Sequence, residues 1–204
     1  MVLGLFGDFE TEPRLSGATV YLRAPRRRDW REWAELRAVS RAHLVPWEPV
    51  WPDDALSRAA YRRRLQRLNE ERARDQGHGY LIFRRGDDAM LGGIGLSAIR
   101  RGVAQIGAVG YWIGLPYARQ GYMTDALRTL IGFAFLDLAL HRLEAACQPD
   151  NLPSQALLRA CGFREEGRAR GYLRINGAWR DHLLFARLVD DVARVRFDSG
   201  ALPL

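Results

Sequence analysis

The feature that constrains this chain most is a change of period near its middle. Over 90–99 and again over 103–115 the apolar residues come in glycine-rich, strand-like runs separated by an Arg101-Gly102 turn. After Pro116 and Gly121 they recur at helical spacing instead, at Met123, Leu127, Leu130, Ile131, Ala134 and Leu138. A strand must therefore pass through a tight loop straight into an amphipathic helix, expected over 124–140.

The flanks repeat this mixture. Residues 19–23 form a β-rich run ending before Pro25, and Asp29 is placed to cap a helix carrying Trp30, Trp33, Leu36 and Arg37. The segment H-L-V-P-W-E-P-V-W-P at 43–52 has three prolines and must be an aromatic loop. Asp53 or Asp54 restarts a helix of about twenty residues, faced by Leu56, Ala60, Leu65 and Leu68. A strand over 80–83 and a turn at 86–88 lead into the central runs. Downstream stand a strand over 142–147, a helix over 153–161 closed by Gly162, and strands over 163–175 and 179–188 around the hairpin signal Asn176-Gly177. This order predicts an α+β fold, a single mixed and mostly antiparallel sheet of about seven strands with about four helices.

Length and composition narrow the class. A chain of 204 residues suits one domain, with a core about 15–190 and a loose tail over 191–204. With 48% hydrophobic and 27% charged residues it reads as globular. The longest charge-free stretch, 102–118, is broken by four glycines, Gln105 and Pro116, and falls short of the ~20 apolar residues of a membrane span. The first residues lack a basic region, and Cys147 and Cys161 make no disulfide framework, so a reduced, cytoplasmic protein is expected. The formal charge is +7, and all 31 basic residues are arginine. They are spread along the chain, whereas basic arms come in blocks, so no direct nucleic-acid binding is required. The four histidines, His43, His78, His141 and His182, have no ligand spacing, and no metal is expected.

Two segments carry chemistry. The strand, loop and helix start over 111–124 aim free backbone N–H groups and a helix dipole at one spot, a place for a phosphate or pyrophosphate, and Arg119 adds charge. Neither G-x-x-x-x-G-K nor G-x-G-x-x-G is present. In the second segment, 148–158, Asn151 follows a strand and precedes a helix, which makes it an N-cap, with Ser154 three residues on.

The loop A-R-Q-G-Y-M-T, followed by a helix, a strand and D-N-x-x-S-x-x-L-L-x-x-C-G-F, resembles the GNAT superfamily of acyl-CoA-dependent N-acetyltransferases. More narrowly, P-W-E-P at 46–49, G-Y-M at 121–123 and Y-L-x-I-N-G-x-W-R-D-H-L-L at 172–184 are similar to its RimJ-type branch, which acetylates a ribosomal-protein alanine. The resemblance spans nearly the whole chain. It implies the GNAT fold, acetyl-CoA as co-substrate, and a pyrophosphate held by backbone N–H groups of Arg119, Gln120, Gly121, Tyr122, Met123 and Thr124. It also implies that Trp112, Ile113 and Gly114 flank the pantetheine arm, that an N–H near Ile113 receives the oxyanion, and that Asn151 bonds pantetheine or the substrate amide. The superfamily loop reads Q/R-x-x-G-x-G/A; this chain departs from it at Ala118 and Met123.

The implied reaction is direct attack of an amine on the thioester in a ternary complex. The acceptor by resemblance is the N-terminal alanine of a small-subunit ribosomal protein; a small-molecule amine is the alternative, and a non-catalytic acyl-CoA-binding regulatory module the rival of another class. An α-amine ionises at ~7.7–8.0 and a lysine at ~10.4, a gap of roughly 3.4 kcal/mol in deprotonation cost, so an enzyme for N-termini needs only a weak base. Glu144 is the first candidate, with Asp181 and His182 as alternatives. Ser154 is the candidate acid for the leaving thiolate, with Tyr111 or Tyr172 as alternatives. Trp47, Glu48 and Trp51 are placed to wall an acceptor groove, Glu48 pairing the amine, and Tyr172 and Asp181 stand with the substrate-binding residues. An acyl-cysteine at Cys147 is disfavoured, because a buried strand cysteine behaves as a small hydrophobe. The chain is expected to act as a monomer or homodimer.

Overall fold

The computed structural model describes residues 14–191. In chain order its elements are β1 (Leu15–Ser16), β2 (Val20–Arg23), α1 (Trp30–Val39), α2 (Arg41–Leu44), α3 (Arg58–Ala73), β3 (His78–Arg84), β4 (Met90–Arg100), β5 (Ile106–Ile113), α4 (Tyr122–Gly132), β6 (Arg142–Cys147), α5 (Leu152–Ala160), β7 (Arg164–Ile175) and β8 (Ala178–Leu188). The strands make one sheet in the order β1-β2-β3-β4-β5-β6-β8-β7. Every pairing is antiparallel except that of β5 with β6. The count rises from about seven strands to eight through the two-residue β1, and from about four helices to five through the single turn α2. The tail expected over 191–204 lies, past Asp191, outside the described residues.

Both faces of the sheet are covered, and β3 shows how. Side chains alternate across a strand. Tyr80 and Ile82 therefore join Leu127 and Leu130 of α4 in one core, while Leu81 and Phe83 join Trp33, Tyr61 and Leu65 of α1 and α3 in another. Leu127 and Leu130 are fully buried, which contributes about 1.5–3 kcal/mol each. The expected helix over 124–140 begins two residues earlier, at Tyr122, and from Phe133 to Asp137 it widens into a π-helical turn.

Two expected caps are corrected. Asp29 makes no capping bond to α1. It is buried, and its carboxylate instead binds the Arg23 guanidinium through both oxygens, at 2.7 and 2.8 Å, and accepts the Arg26 N–H. The helix expected from Asp53 or Asp54 starts at Arg58, capped by Ser57, whose hydroxyl accepts the Ala60 N–H at 3.0 Å. Asp54 pairs with Arg63.

What positions the site is a failure of pairing. β5 and β6 are joined only at Ile106↔Arg142, Gly107↔Leu143 and Ala108↔Glu144. Beyond that rung β5 stays with β4 as far as Ile113, and β6 stays with β8 as far as Cys147. Their facing edges separate into a wedge, closed at Glu144 and open towards Ile113 and Cys147.

Candidate active site

The open wedge is bounded by three elements that sequence places far apart. From β5, Gly114 donates its N–H to Leu91 O at 2.8 Å, so the alternation of an antiparallel ladder turns the Ile113 N–H the other way, into the wedge. The indole of Trp112 lies against Gly93, where a Cβ would stand 2.5 Å from Nε1. Glycine is required there for the ring to approach the neighbouring strand this closely. From α5, Ser154 sits in the first turn, its N–H held at 3.1 Å by the side-chain Oδ1 of Asn151, so Asn151 is the N-cap. The Tyr111 hydroxyl reaches the Ser154 hydroxyl at 2.7 Å. Burial raises the Tyr111 phenol well above its ordinary range, against the opposing effect of the Ser154 bond. Cys147, also buried, borders the same place, and burial pushes its thiol up while a Ser154 hydrogen bond pulls it down.

Beside the open end, α4 begins. Gly121 takes φ +82, a left-handed conformation with open space around it, and Arg119 takes φ +61. No side chain caps the helix, and the first bond into its ladder is Asp125 N–H to Gly121 O. The N–H groups of Tyr122, Met123 and Thr124 thus lack intrahelical acceptors. Together with the helix dipole they form an anion seat. Arg119 is exposed above it, Gln120 donates to Pro116 O, and the Tyr122 hydroxyl lies 3.4 Å from the Arg84 guanidinium.

The other residues singled out from sequence lie elsewhere. Leu143, Ala145 and Cys147 face the α4 core, so Glu144 is on the opposite face at the closed end of the wedge. There it pairs with Arg142 at 2.9 Å and Arg100 at 3.9 Å, and Arg142 also binds Glu166. Three rungs separate it from the level of Tyr111, roughly 10 Å at 3.3 Å per residue. The Glu48 carboxylate is held by Arg37 through both oxygens and by Trp51 Nε1 at 2.7 Å. The Arg37 guanidinium in turn lies 4.3 Å from the Trp51 ring and 4.9 Å from Trp112, a cation–π contact linking this loop to β5. Trp47 belongs to the single 3-10 turn just before Glu48. The hairpin tip docks there, Asn176 donating its N–H to Glu48 O at 2.9 Å. Asp181 accepts the Gly171 N–H at 2.8 Å and binds Arg168; these bonds, Gly171 first, hold its carboxyl below the usual range.

Two further contributors are buried, and one of them, His182, is among the alternative bases singled out from sequence. His182 is 3% exposed and stands one residue from Leu183, the partner of Cys147. Its Nδ1 lies 3.0 Å from Arg180 O, which requires the hydrogen on Nδ1 and leaves Nε2 as an acceptor in the neutral ring. The Tyr172 ring packs 5.7 Å from it. Gln148 is buried and clamps the proline-rich loop by donating to Pro46 O. A surface cavity of about 500 Å³ lined by Arg14, Arg23, Arg26 and Phe83 lies at the β2–β3 end of the sheet and holds none of these groups. Among the described residues, no cluster of three His, Cys, Asp or Glu side chains could hold a metal, and no helix is long and apolar enough to cross a membrane.

The architecture has relatives. The model of the acetyltransferase (GNAT) domain matches residues 19–164. A probable N-acetyltransferase of Bacillus subtilis, YjcK, is 34% identical over 177 residues, 87% of this chain and 98% of its own length. The ribosomal protein uS5-alanine N-acetyltransferase of Escherichia coli is 32% identical over 189 residues, 92% of this chain and 97% of its own. Among solved structures, Mycobacterium smegmatis RimJ in complex with CoA-disulfide superposes with a TM-score of 0.80 at 31% identity, covering 88% of this chain and 89% of that one.

Proposed function

We propose, from the premise that the chain belongs to the GNAT acetyltransferase family, that it moves the acetyl group of acetyl-CoA to an N-terminal α-amine, with the N-terminal alanine of a small-subunit ribosomal protein as acceptor. The observation that carries this reading is the wedge between β5 and β6, with Tyr111 and Ser154 bonded at its open end beside an uncapped helix start. The name of the Escherichia coli relative supports the acceptor, and a ribosomal acceptor would place the protein in the cytoplasm.

The residues fit acetyl-CoA. The free N–H groups of the α4 start, with Arg119, suit its pyrophosphate. The unpaired edge of β5 from Trp112 to Gly114 offers backbone groups to the amides of the pantetheine arm, and the Asn151 side-chain N–H₂ remains available beside it. The Ile113 N–H is aimed where the thioester oxygen becomes an oxyanion. Attack by the amine expels the thiolate, and Ser154 supplies its proton.

The acceptor side is formed by Trp47, Trp51 and the 172–182 hairpin. Glu48, committed to Arg37 and Trp51, orders this loop, so the apolar wall reads the N-terminal residue. His182, with Nε2 free to accept, lies nearer the open end than Glu144 and takes the amine proton, directly or through water. Glu144 serves only through a longer water path.

A thiol-release assay tests the reading, with acetyl-CoA against an alanine-starting ribosomal peptide and a panel of small amines. The peptide is expected to turn over with at least tenfold higher kcat/KM than any small amine. No thiol release with any acceptor refutes the enzyme; preference for a small amine refutes the acceptor.

A further inference from the structure

We infer that Tyr111 is a positioning residue for the proton that leaves with the thiol: its phenol O–H donates to Ser154 Oγ and so turns the Ser154 hydrogen towards the CoA sulfur. This rests on the acetyltransferase reading above, and it assigns to Tyr111 a role distinct from that of the acid. Three observations lead to it. The bond is short, 2.7 Å, and joins the unpaired part of β5 to the first turn of α5 across the open wedge. The Ser154 main chain is fixed by the Asn151 cap, but a serine hydroxyl still has three rotamer wells and a free O–H rotor. A tyrosine ring packed in the core holds its hydroxyl in one place and selects among those states.

The direction of donation is set by the chemistry of the two groups. A hydroxyl that accepts from the phenol keeps its own hydrogen to give. Of the two hydroxyls the phenol is the stronger hydrogen-bond donor and the aliphatic one the better acceptor, so in the 2.7 Å bond Tyr111 donates and Ser154 accepts. The phenol donates a hydrogen bond and keeps its proton.

The step balances as follows. The N–C bond forms and the C–S bond breaks, the electron pair remaining on sulfur. The neutral amine nitrogen loses one proton to His182, directly or through water. Sulfur gains one from Ser154 Oγ, and the serine hydroxyl is restored by the proton that water carries back from His182, which ends as the neutral ring. Tyr111 begins and ends as a phenol.

The test is a double-mutant cycle on the full chain, with Tyr111→Phe, Ser154→Ala and the pair, read by thiol release with acetyl-CoA and an alanine-starting peptide. Tyr111→Phe keeps the packed ring and loses only the hydroxyl. It is expected to lower kcat about tenfold, the scale of one hydrogen bond, with KM for acetyl-CoA within twofold. Ser154→Ala is expected to lower kcat at least tenfold, and the double variant to match Ser154→Ala within twofold, because Tyr111 has nothing left to orient. The pH dependence of kcat between pH 6 and 9 is expected to be the same in Tyr111→Phe as in the wild type. Multiplying effects in the double variant overturn the inference, as does wild-type kcat in either single variant. A wild-type protein that releases no thiol with any acceptor fails the acetyltransferase reading itself, and the inference falls with it; any other failure leaves that reading standing.

Discussion

Replacing Asp125 by alanine tests how the anion seat is tied to the sheet. In the first turn of α4, its Oδ1 accepts the Ala18 N–H at 3.1 Å, and its Oδ2 accepts the Thr19 N–H at 2.6 Å, the Thr19 hydroxyl at 2.9 Å and the Val20 N–H at 3.0 Å. Val20 is fully buried, so its N–H is left without a partner in Asp125→Ala, at about 1–3 kcal/mol. Ala18 and Thr19 are exposed and water can replace the carboxylate, so each N–H loses only about 0.5 kcal/mol. The sum is about 3 kcal/mol, or a Tm roughly 6–12 °C lower for a chain of this size. Burial raises the Asp125 carboxyl, but the bonds from Thr19, Ala18 and Val20 outweigh it and hold the group below its ordinary value. A depressed native value stabilises fully above the unfolded value, ~3.9, and is lost as pH falls through the native one. Urea unfolding followed by circular dichroism at pH 7 and pH 3 should thus show a gap between wild type and variant that narrows in acid. A gap under 1 kcal/mol at pH 7, or one as wide at pH 3, refutes the reasoning.

Three further substitutions bear on the site. Gly121→Ala places a side chain at φ +82, a cost of about 1–2 kcal/mol that should weaken acetyl-CoA binding by about 5–30-fold in calorimetry while kcat at saturation holds. His182→Ala should lower kcat for the alanine peptide at least tenfold and Glu144→Gln less than threefold in steady-state assays; the reverse ranking would make Glu144 the base. Cys147→Ala should keep more than half of kcat, and the intact mass of the wild type incubated with acetyl-CoA should show no acetyl group on Cys147, since direct transfer needs no acyl-enzyme.

The fold was legible where its causes are local. Helical spacing from Met123 to Leu138 and the Asn176-Gly177 turn announce α4 and the β7–β8 hairpin because neighbours in sequence decide them. Elements too short to carry a period escaped: β1 has two residues and α2 four. Helix starts went wrong where tertiary partners compete for a capping group. Asp29 sits at the right place to cap α1, yet Arg23, six residues earlier, claims both its oxygens. Before α3, three side chains could cap; Asp54 is drawn to Arg63, and Ser57 has the extended backbone, φ −67 and ψ 154, that an N-cap needs.

The site divides along the same line. The anion seat is local, since a left-handed glycine before a helix with no capping side chain is a property of consecutive residues, and residues 119–124 show it directly. Even the ion pair of Glu144 has a local part: Arg142 is two residues away on the same strand face. The contact between Tyr111 and Ser154 is of another kind. It spans 43 residues and exists because β5 and β6 stop pairing after Ala108↔Glu144. Each strand carries its own apolar pattern to the end, and neither pattern records that the neighbour has departed. Register is written in side chains that face each other, whereas the wedge is made of backbone edges that do not. The candidate site therefore falls where the sheet fails to close, so the strand pattern alone treats Tyr111 as one more apolar residue, and only the resemblance raised it as an alternative acid before its partner across the gap was known.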